Sequence, residues 1–176
     1  MTGRIFTADH HVYDLPPLLS WNVRHTGTVP CDSWSVTAVY QPEMLTVLRM
    51  AAGFAAIENG MTQLRGIVDE YTVELGSRGM TVTLSGRGYA ARLLDNESRP
   101  VTYEQVTLRE LLRCHAEPYG ISCGAAADLR STVPYTAEAG ISQWKVISEF
   151  CRTYGGFLPR FAKTGELLAT PEQVRC

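Results

Sequence analysis

The residues whose chemistry could support catalysis or metal binding are few, and their spacing is poor for either. His10 and His11 are adjacent and could form a metal pair. Neighbouring residues of an extended segment point in opposite directions, and no cysteine or acidic residue lies nearby at a ligand spacing. We therefore interpret the two histidines as solvated residues of a terminal segment.

Cys114 and His115 offer a thiol nucleophile beside a base. Both fall in a predicted helix, where successive residues are about 100° apart and do not face each other. We expect Cys114 to be a small core residue beside the apolar face of that helix. The aspartates are scattered along the chain, and their spacing pairs no two carboxylates. The four considered are Asp9, Asp14, Asp69 and Asp95.

The glycines of Ser85-Gly86-Arg87-Gly88 resemble the start of a phosphate-binding loop. A dinucleotide site needs such glycines to open a helix within a βαβ unit. Here the preceding strand belongs to an antiparallel meander. A tight turn from strand to helix is the favoured interpretation of this segment.

That meander covers residues 54–84, and the stretch 54–95 that contains it is the best-defined part of the sequence. Asn59-Gly60 between apolar runs is a strong hairpin signal. Gly66 is predicted to be a bulge or a point of close approach. The following runs alternate apolar and polar residues on either side of a turn at residues 77–79, which predicts a sheet with one apolar and one polar face.

Composition indicates an ordinary globular protein. The 176 residues are 45% hydrophobic and 19% charged, with a net charge of −2 and no basic run, so nucleic-acid binding is disfavoured. Arginines outnumber lysines fourteen to two. This bias suits protein interfaces, although codon bias would explain it equally well.

Five cysteines without CxxC spacing argue against a disulfide framework and against a zinc site. No signal segment opens the chain, and no apolar run approaches 18 residues. We expect synthesis in the cytoplasm, no membrane span and no cofactor.

The predicted fold class is α+β, mainly β. Residues 1–95 should form an antiparallel β-barrel or sandwich with a short helix that begins at Pro42 and ends at Gly53. Its first 17 residues are polar and turn-rich, and its first strands are expected at 18–24 and 33–40. Residues 96–176 should form a small α+β domain with helices at about 107–117 and 142–154. A capping box at Thr107 and Glu110 opens the first of these helices, and a hairpin at 157–169 closes the domain.

Three short motifs carry a resemblance to a known family. They are Gly66-Ile67-Val68-Asp69, then Ser85-Gly86-Arg87, then Leu93-Leu94-Asp95. In this order they resemble the N-terminal region of phage baseplate hub proteins of the Mu-like and late-control-D type, which are related to the hub part of type VI secretion spikes. The helix SQWKVISEFCRTYGG and the hairpin after it resemble the next hub domain. Two positions depart from the family pattern, since Gly88 replaces a common aspartate and Asn96 a frequent cysteine.

The resemblance implies a structural role without catalytic residues. Family hubs are homotrimers whose barrel-like domains form a ring between the tail tube and the spike, so the implied partners are further copies of the chain and other tail proteins in the virion. The family's members are roughly twice as long. The chain is therefore expected to be a split hub, a product truncated in a decaying prophage, or a naturally shortened hub.

Two other functions remain open at this point. One is a monomeric β-barrel that binds a small molecule or peptide in a concave apolar pocket. The other is an enzyme that uses the Gly86 and Gly88 turn for a phosphate, or Cys114 as a thiol. For the hub, the candidate subunit-interface residues lie near the polar face and turns of the meander, where solvated surface is an equally good interpretation. They are Arg65, Asp69, Arg78 and Arg87.

Overall fold

Short alternating strands dominate the first half of the chain and helices the second, as the pattern of the sequence predicts. The computed structural model describes residues 1–27, 30, 32–77 and 79–172. These residues cluster into two units, Met1–Tyr89 and Ala90–Cys176. The predicted boundary, after residue 95, lies a few residues later in the chain than the division after Tyr89. The predicted class, α+β and mainly β, is confirmed.

The described residues of the first unit form one antiparallel sheet of seven strands in the order β2-β1-β5-β6-β7-β4-β3. The strands are β1 Thr2–Thr7, β2 Val12–Asp14, β3 Leu18–Arg24, β4 Ser33–Val39, β5 Ala51–Glu58, β6 Met61–Gly76 and β7 Gly79–Gly88. Strand β6 is long because it takes part in both halves of the sheet. Strands β2, β1 and β5 lie on one side of it, and β7, β4 and β3 lie on the other. Its first part, residues 61–67, pairs with β5, and its second part pairs with β7 alone among the described strands.

The two halves of this sheet enclose one core, which makes the unit barrel-like. The register of β6 shifts between Val68 and Glu70, and such a bulge bends a strand and increases its twist. Trp34 of β4 stacks on Phe54 of β5, with ring centroids 3.8 Å apart and planes 13° apart. Helix α1, Met44–Arg49, contributes Met44 to the same core.

The expectation of a polar, turn-rich segment over the first 17 residues is wrong, because β1 and β2 lie there. Alternation in β1 points Gly3, Ile5 and Thr7 inward, so only one inward residue is large and apolar. Gly3 is required by the packing, since a Cβ there would lie 2.8 Å from the Leu15 side chain. The alternation of large apolar and polar residues that would predict this strand is therefore missing from the sequence.

Turn residues behave largely as predicted. Asn59 and Gly60 have φ values of 51° and 75°, which confirms the two-residue hairpin between β5 and β6. Gly66 is a point of close approach, because an added Cβ would overlap the carbonyl oxygen of Arg87. The first helix ends at Arg49 and not at Gly53, which lies within β5.

The second unit is a small α+β unit. Its elements are α2 Ala91–Leu94, β8 Val101–Tyr103, α3 Leu108–His115, a 3₁₀ turn at Glu117–Tyr119, β9 Cys123–Ala126, β10 Tyr135–Ala137, α4 Gln143–Gly155, β11 Arg160–Phe161 and β12 Leu167–Ala169. Thr107 and Glu110 form the predicted capping box of α3. Strand β12 pairs antiparallel with β11 and parallel with β9. The hydrophobic faces of α3 and α4 are buried through residues such as Leu111 and Phe150.

Candidate subunit-contact surface

The bulge in β6 shapes the outer face of the first unit. Val68 pairs with Gly86 and Glu70 pairs with Ser85, which leaves Asp69 as the extra residue. Ser85 donates a hydrogen bond to Glu70 (3.0 Å), so Glu70 points to the outer face. Asp69 reaches Arg87 on the same face. The bulge thus places two adjacent carboxylates on the polar side of the sheet.

Asp69 and Arg87 form a bidentate ion pair across β6 and β7. The guanidinium Nε lies 2.9 Å from Oδ2 and Nη2 lies 3.0 Å from Oδ1. The two side chains are about one-third exposed, at 33% and 36%. A fork-to-fork pair of this kind fixes orientation as well as neutralising charge. It therefore tethers the two strands where the sheet bends.

Arg65 also lies on β6, four residues before Asp69 and on the same outer face. Its guanidinium carbon is 4.7 Å from the centre of the Phe6 ring and 5.9 Å from that of Tyr89. Such cation–π contacts hold a long side chain in one orientation even at an exposed site. Arg65 is exposed but ordered by these two rings.

Three of the four predicted interface residues therefore share one face. Arg65 and Ile67 lie on the same side of β6 by alternation, and Ile67 pairs with Arg87. Asp69 joins them through its ion pair. The fourth, Arg78, lies outside the described residues. Their part in a subunit contact stays a prediction.

Sequence reasoning overlooked the exposed apolar residues of this unit. Trp21, Leu19 and Leu75 are largely solvent-exposed although they belong to strands. Trp21 lies in an alternating strand opposite Val36, and alternation alone does not distinguish a core residue from an interface residue. The strand order decides, because Trp21 lies on an edge strand.

The glycines of the supposed phosphate loop are strand residues, so the predicted strand-to-helix turn at Ser85–Gly88 is wrong. Strand β7 continues through Gly88. An added Cβ at Gly86 would overlap the carbonyl oxygen of Ile67 and lie 2.9 Å from the Trp34 ring. Trp34 also donates a hydrogen bond to that carbonyl (3.1 Å). Because Gly86 has no side chain, the Trp34 ring can pack against the backbone at this position.

The second unit contains a buried polar network centred on Gln143 of α4. Its amide nitrogen donates to the Glu97 carbonyl (2.9 Å) and to the Tyr119 hydroxyl (2.8 Å). Its oxygen must then accept from Nδ1 of His115 (2.6 Å). Nε2 of the imidazole is hydrogen-bonded to the Tyr103 hydroxyl (3.0 Å). Both ring nitrogens of His115 and both amide atoms of Gln143 therefore have partners, so the network is a structural link between α3 and α4.

The thiols fall into distinct environments. Cys114 is exposed, so its expected role as a core residue is wrong. Cys151 is buried, and burial raises the pKa of its thiol to about 12. Burial, together with nearby Glu117 and Glu166, raises the pKa of Cys123 to about 11. Cys31 and Cys176 lie outside the described residues.

Neither a metal site nor a membrane helix is found in the described part of the chain. No three His, Cys, Asp or Glu side chains lie close enough there to hold a metal ion. None of the described helices is long and apolar enough to span a bilayer.

Two solved structures similar to this chain are tail proteins. The tail protein from Neisseria meningitidis MC58 matches 95% of the chain with a TM-score of 0.70 and 14% sequence identity. The 43 kDa tail protein of prophage MuSo2 from Shewanella oneidensis matches 96% with a TM-score of 0.73 and 15% identity. The chain has the fold of these tail proteins. The predicted resemblance to phage tail proteins is confirmed at the level of the fold.

The chain matches only part of each of these tail proteins. The chain covers 49% of the Neisseria structure and 54% of the Shewanella structure, so it spans about half of their length. An Escherichia coli type VI secretion component matches 85% of the chain at 12% identity, but its TM-score of 0.49 is too low to establish a shared fold. No protein-family model matches the sequence, and no curated protein matches it.

Proposed function

We propose that this chain is a structural component of a phage or prophage tail. In this proposal it belongs to the baseplate hub between tail tube and spike, assembles as a ring-shaped homotrimer and performs no catalysis. The observation that carries the proposal is a fold shared with tail proteins over nearly the whole chain. The protein is made in the host cytoplasm and resides in the virion tail.

The outer face of the first unit supports an assembly role. Its charges are ordered by partners within the unit, through the Asp69 and Arg87 ion pair and the rings around Arg65. Ordered arginines lose little side-chain entropy when a neighbour contacts them, which suits a subunit interface. Arg65, Asp69 and Arg87 are therefore retained as interface candidates, together with Arg78.

The competing proposal of a monomeric binding module needs a concave apolar pocket. A groove of about 420 Å³ runs along α3, but polar and charged side chains line it. The lining residues are Thr107, Arg109, Glu110, Arg113 and Glu117. This groove does not favour the alternative.

Sedimentation equilibrium and electron microscopy of the purified chain test the proposal. The hub requires a mass three times the 19.5 kDa of one chain and particles with threefold symmetry. A chain that stays monomeric at several hundred micromolar overturns the trimer. Because the chain spans about half of the matched structures, the same measurements should also be made on any longer product of the locus.

A further inference from the structure

One half of the seven-stranded sheet has an open edge on each side. This half consists of four strands in the order β6-β7-β4-β3. Residues 69–76 of β6, called the arm below, pair with β7 and with no other described strand, because β5 reaches only to Ile67. At the other side, β3 pairs with β4 alone among the described strands. Both edges therefore present unpaired backbone groups.

These edges lack lysine and proline, two residues that commonly prevent sheets from joining. Exposed edges in natural proteins are protected by lysine, proline or inward-pointing charge. Strand β3 contains neither lysine nor proline, and it exposes Trp21 (51%) and Leu19 (58%). The arm exposes Leu75 (81%) near its tip. Tryptophan on an open edge is typical of a surface that is covered in an assembly.

The faces of the two edges match. In β3, Trp21 pairs with buried Val36, so it lies on the core face of the sheet together with Val23. In the arm, Val73 pairs with buried Val82, and Leu75 follows on the same core face. If the two edges joined, a row of apolar side chains would continue from one sheet into the next.

The charges of the two edges are also complementary. On the outer face β3 carries Arg24, and the arm carries Glu70 and Glu74. Neither Arg24 nor Glu74 forms an ion pair with a described residue. The edges are similar in length, at seven residues for β3 and eight for the arm, so a full ladder could form between them.

The edges cannot join within one copy, because β7 and β4 separate them. We propose that β3 of one copy pairs with the arm of a second copy, so that the sheets continue head to tail. Such a contact uses two different surfaces and closes into a ring when the rotation allows. The inference rests on the proposed ring assembly and specifies which edges form it.

Lysine substitutions at the two edges test the pairing by sedimentation. Trp21→Lys and Leu75→Lys each place a charge on one edge, and Leu19→Lys provides a second variant of β3. Each should raise the dissociation constant of the assembly by roughly tenfold or more. The matched controls are Val12→Lys on β2 and Met61→Lys at the other end of β6, since both residues are similarly exposed, at 57% and 63%. They should leave assembly unchanged, and circular dichroism should show that all variants fold.

Mixing the defective variants tests the head-to-tail geometry. The Trp21→Lys copy keeps an intact arm, and the Leu75→Lys copy keeps an intact β3. Each alone should be monomeric, whereas an equimolar mixture at high concentration should form a one-to-one dimer joined by the single intact contact. A mixture that stays monomeric overturns the pairing.

The outcomes separate this inference from the proposed function. A wild-type trimer that survives both edge substitutions overturns the edge pairing and leaves the ring in place. A wild-type chain that is monomeric at every concentration overturns both. Controls that dissociate the assembly as strongly as the edge variants would show a nonspecific charge effect and would also overturn the pairing.

Discussion

At the scale of single residues, close backbone contacts determine which substitutions of glycine the first unit tolerates. Gly66→Ala would push a methyl group against the carbonyl oxygen of Arg87, and a backbone atom cannot move aside cheaply. We expect a loss of about 1–3 kcal/mol in the free energy of unfolding, which urea titration followed by circular dichroism would measure.

The same strand provides the control for this substitution. The nearest atom to an added Cβ at Gly76 is the Gly79 carbonyl oxygen, at an ordinary contact distance of 3.7 Å. Gly76→Ala should therefore be neutral or slightly stabilising, because alanine restricts the unfolded chain. Equal losses for both variants would show that strand flexibility, and not the contact with Arg87, sets the cost.

The buried polar network gives a second prediction for a single side chain. Gln143→Leu preserves approximate size but leaves Nδ1–H of His115 and the Glu97 carbonyl without their partner. A buried polar group left unpaired costs about 1–3 kcal/mol, and a lower urea midpoint would reveal it. Gln105→Leu, at an exposed site, is the control and should change stability little. An unchanged midpoint for Gln143→Leu would mean that water replaces the amide.

At the scale of elements, the capping box should determine how firmly α3 is anchored. The Thr107 hydroxyl accepts from the Glu110 amide (3.2 Å), and the Glu110 carboxylate accepts from the Thr107 amide (2.9 Å). Thr107→Ala removes the cap and should cost about 1 kcal/mol. Thr153→Ala, on the exposed side of α4, should be neutral because it affects no cap. Thermal unfolding of both variants makes the comparison.

The capping carboxylate also makes this contribution depend on pH. Hydrogen bonds from the Thr107 amide and hydroxyl hold the pKa of Glu110 below its usual value. A carboxyl group whose pKa is lower in the folded state stabilises the fold above its unfolded pKa and loses that effect as the pH falls through the folded pKa. The stability difference between wild type and Glu110→Ala should therefore shrink in acid, and a difference that grows in acid would contradict the role of the carboxylate.

The sequence predicted elements well where their signals are local. Asn59-Gly60 marks a hairpin through the backbone preference of its two residues, and Thr107 with Glu110 marks a helix start through side-chain reach. Strands β1 and β2 carried no such signal, because Gly3 and Thr7 occupy inward positions that usually hold large apolar residues. The packing of Phe54 and Leu15 onto Gly3 explains that choice, and this packing is visible only in the fold.

The candidate surface was predictable only in part. Alternation in the meander placed Arg65 and Arg87 on the polar face, which the structure bears out. The extra residue of the bulge is Asp69, and no pattern in the sequence identifies it, because a bulge depends on the register between two strands. The exposure of Trp21 likewise depends on strand order, since the same alternating segment would be buried in the middle of a sheet.

At the scale of the whole molecule, the ring and the monomeric module differ in how stability depends on concentration. A trimer that dissociates as it unfolds is stabilised by mass action, so its Tm rises with protein concentration. For a chain of 176 residues with an ordinary unfolding enthalpy, a hundredfold increase in concentration should raise Tm by roughly 5 °C. A monomer should show no such change. Calorimetry over this concentration range distinguishes the two.

The direction of the change excludes the commonest artefact. Aggregation of the unfolded chain removes it from the equilibrium and lowers the apparent Tm as concentration rises, which is opposite to the effect of assembly. The Trp21→Lys variant should melt at a Tm that does not depend on concentration if its edge holds the ring together. A concentration-dependent Tm in wild type that persists in Trp21→Lys would mean that the subunits meet through another surface, with the polar face around Arg65 and Arg87 as the next one to test.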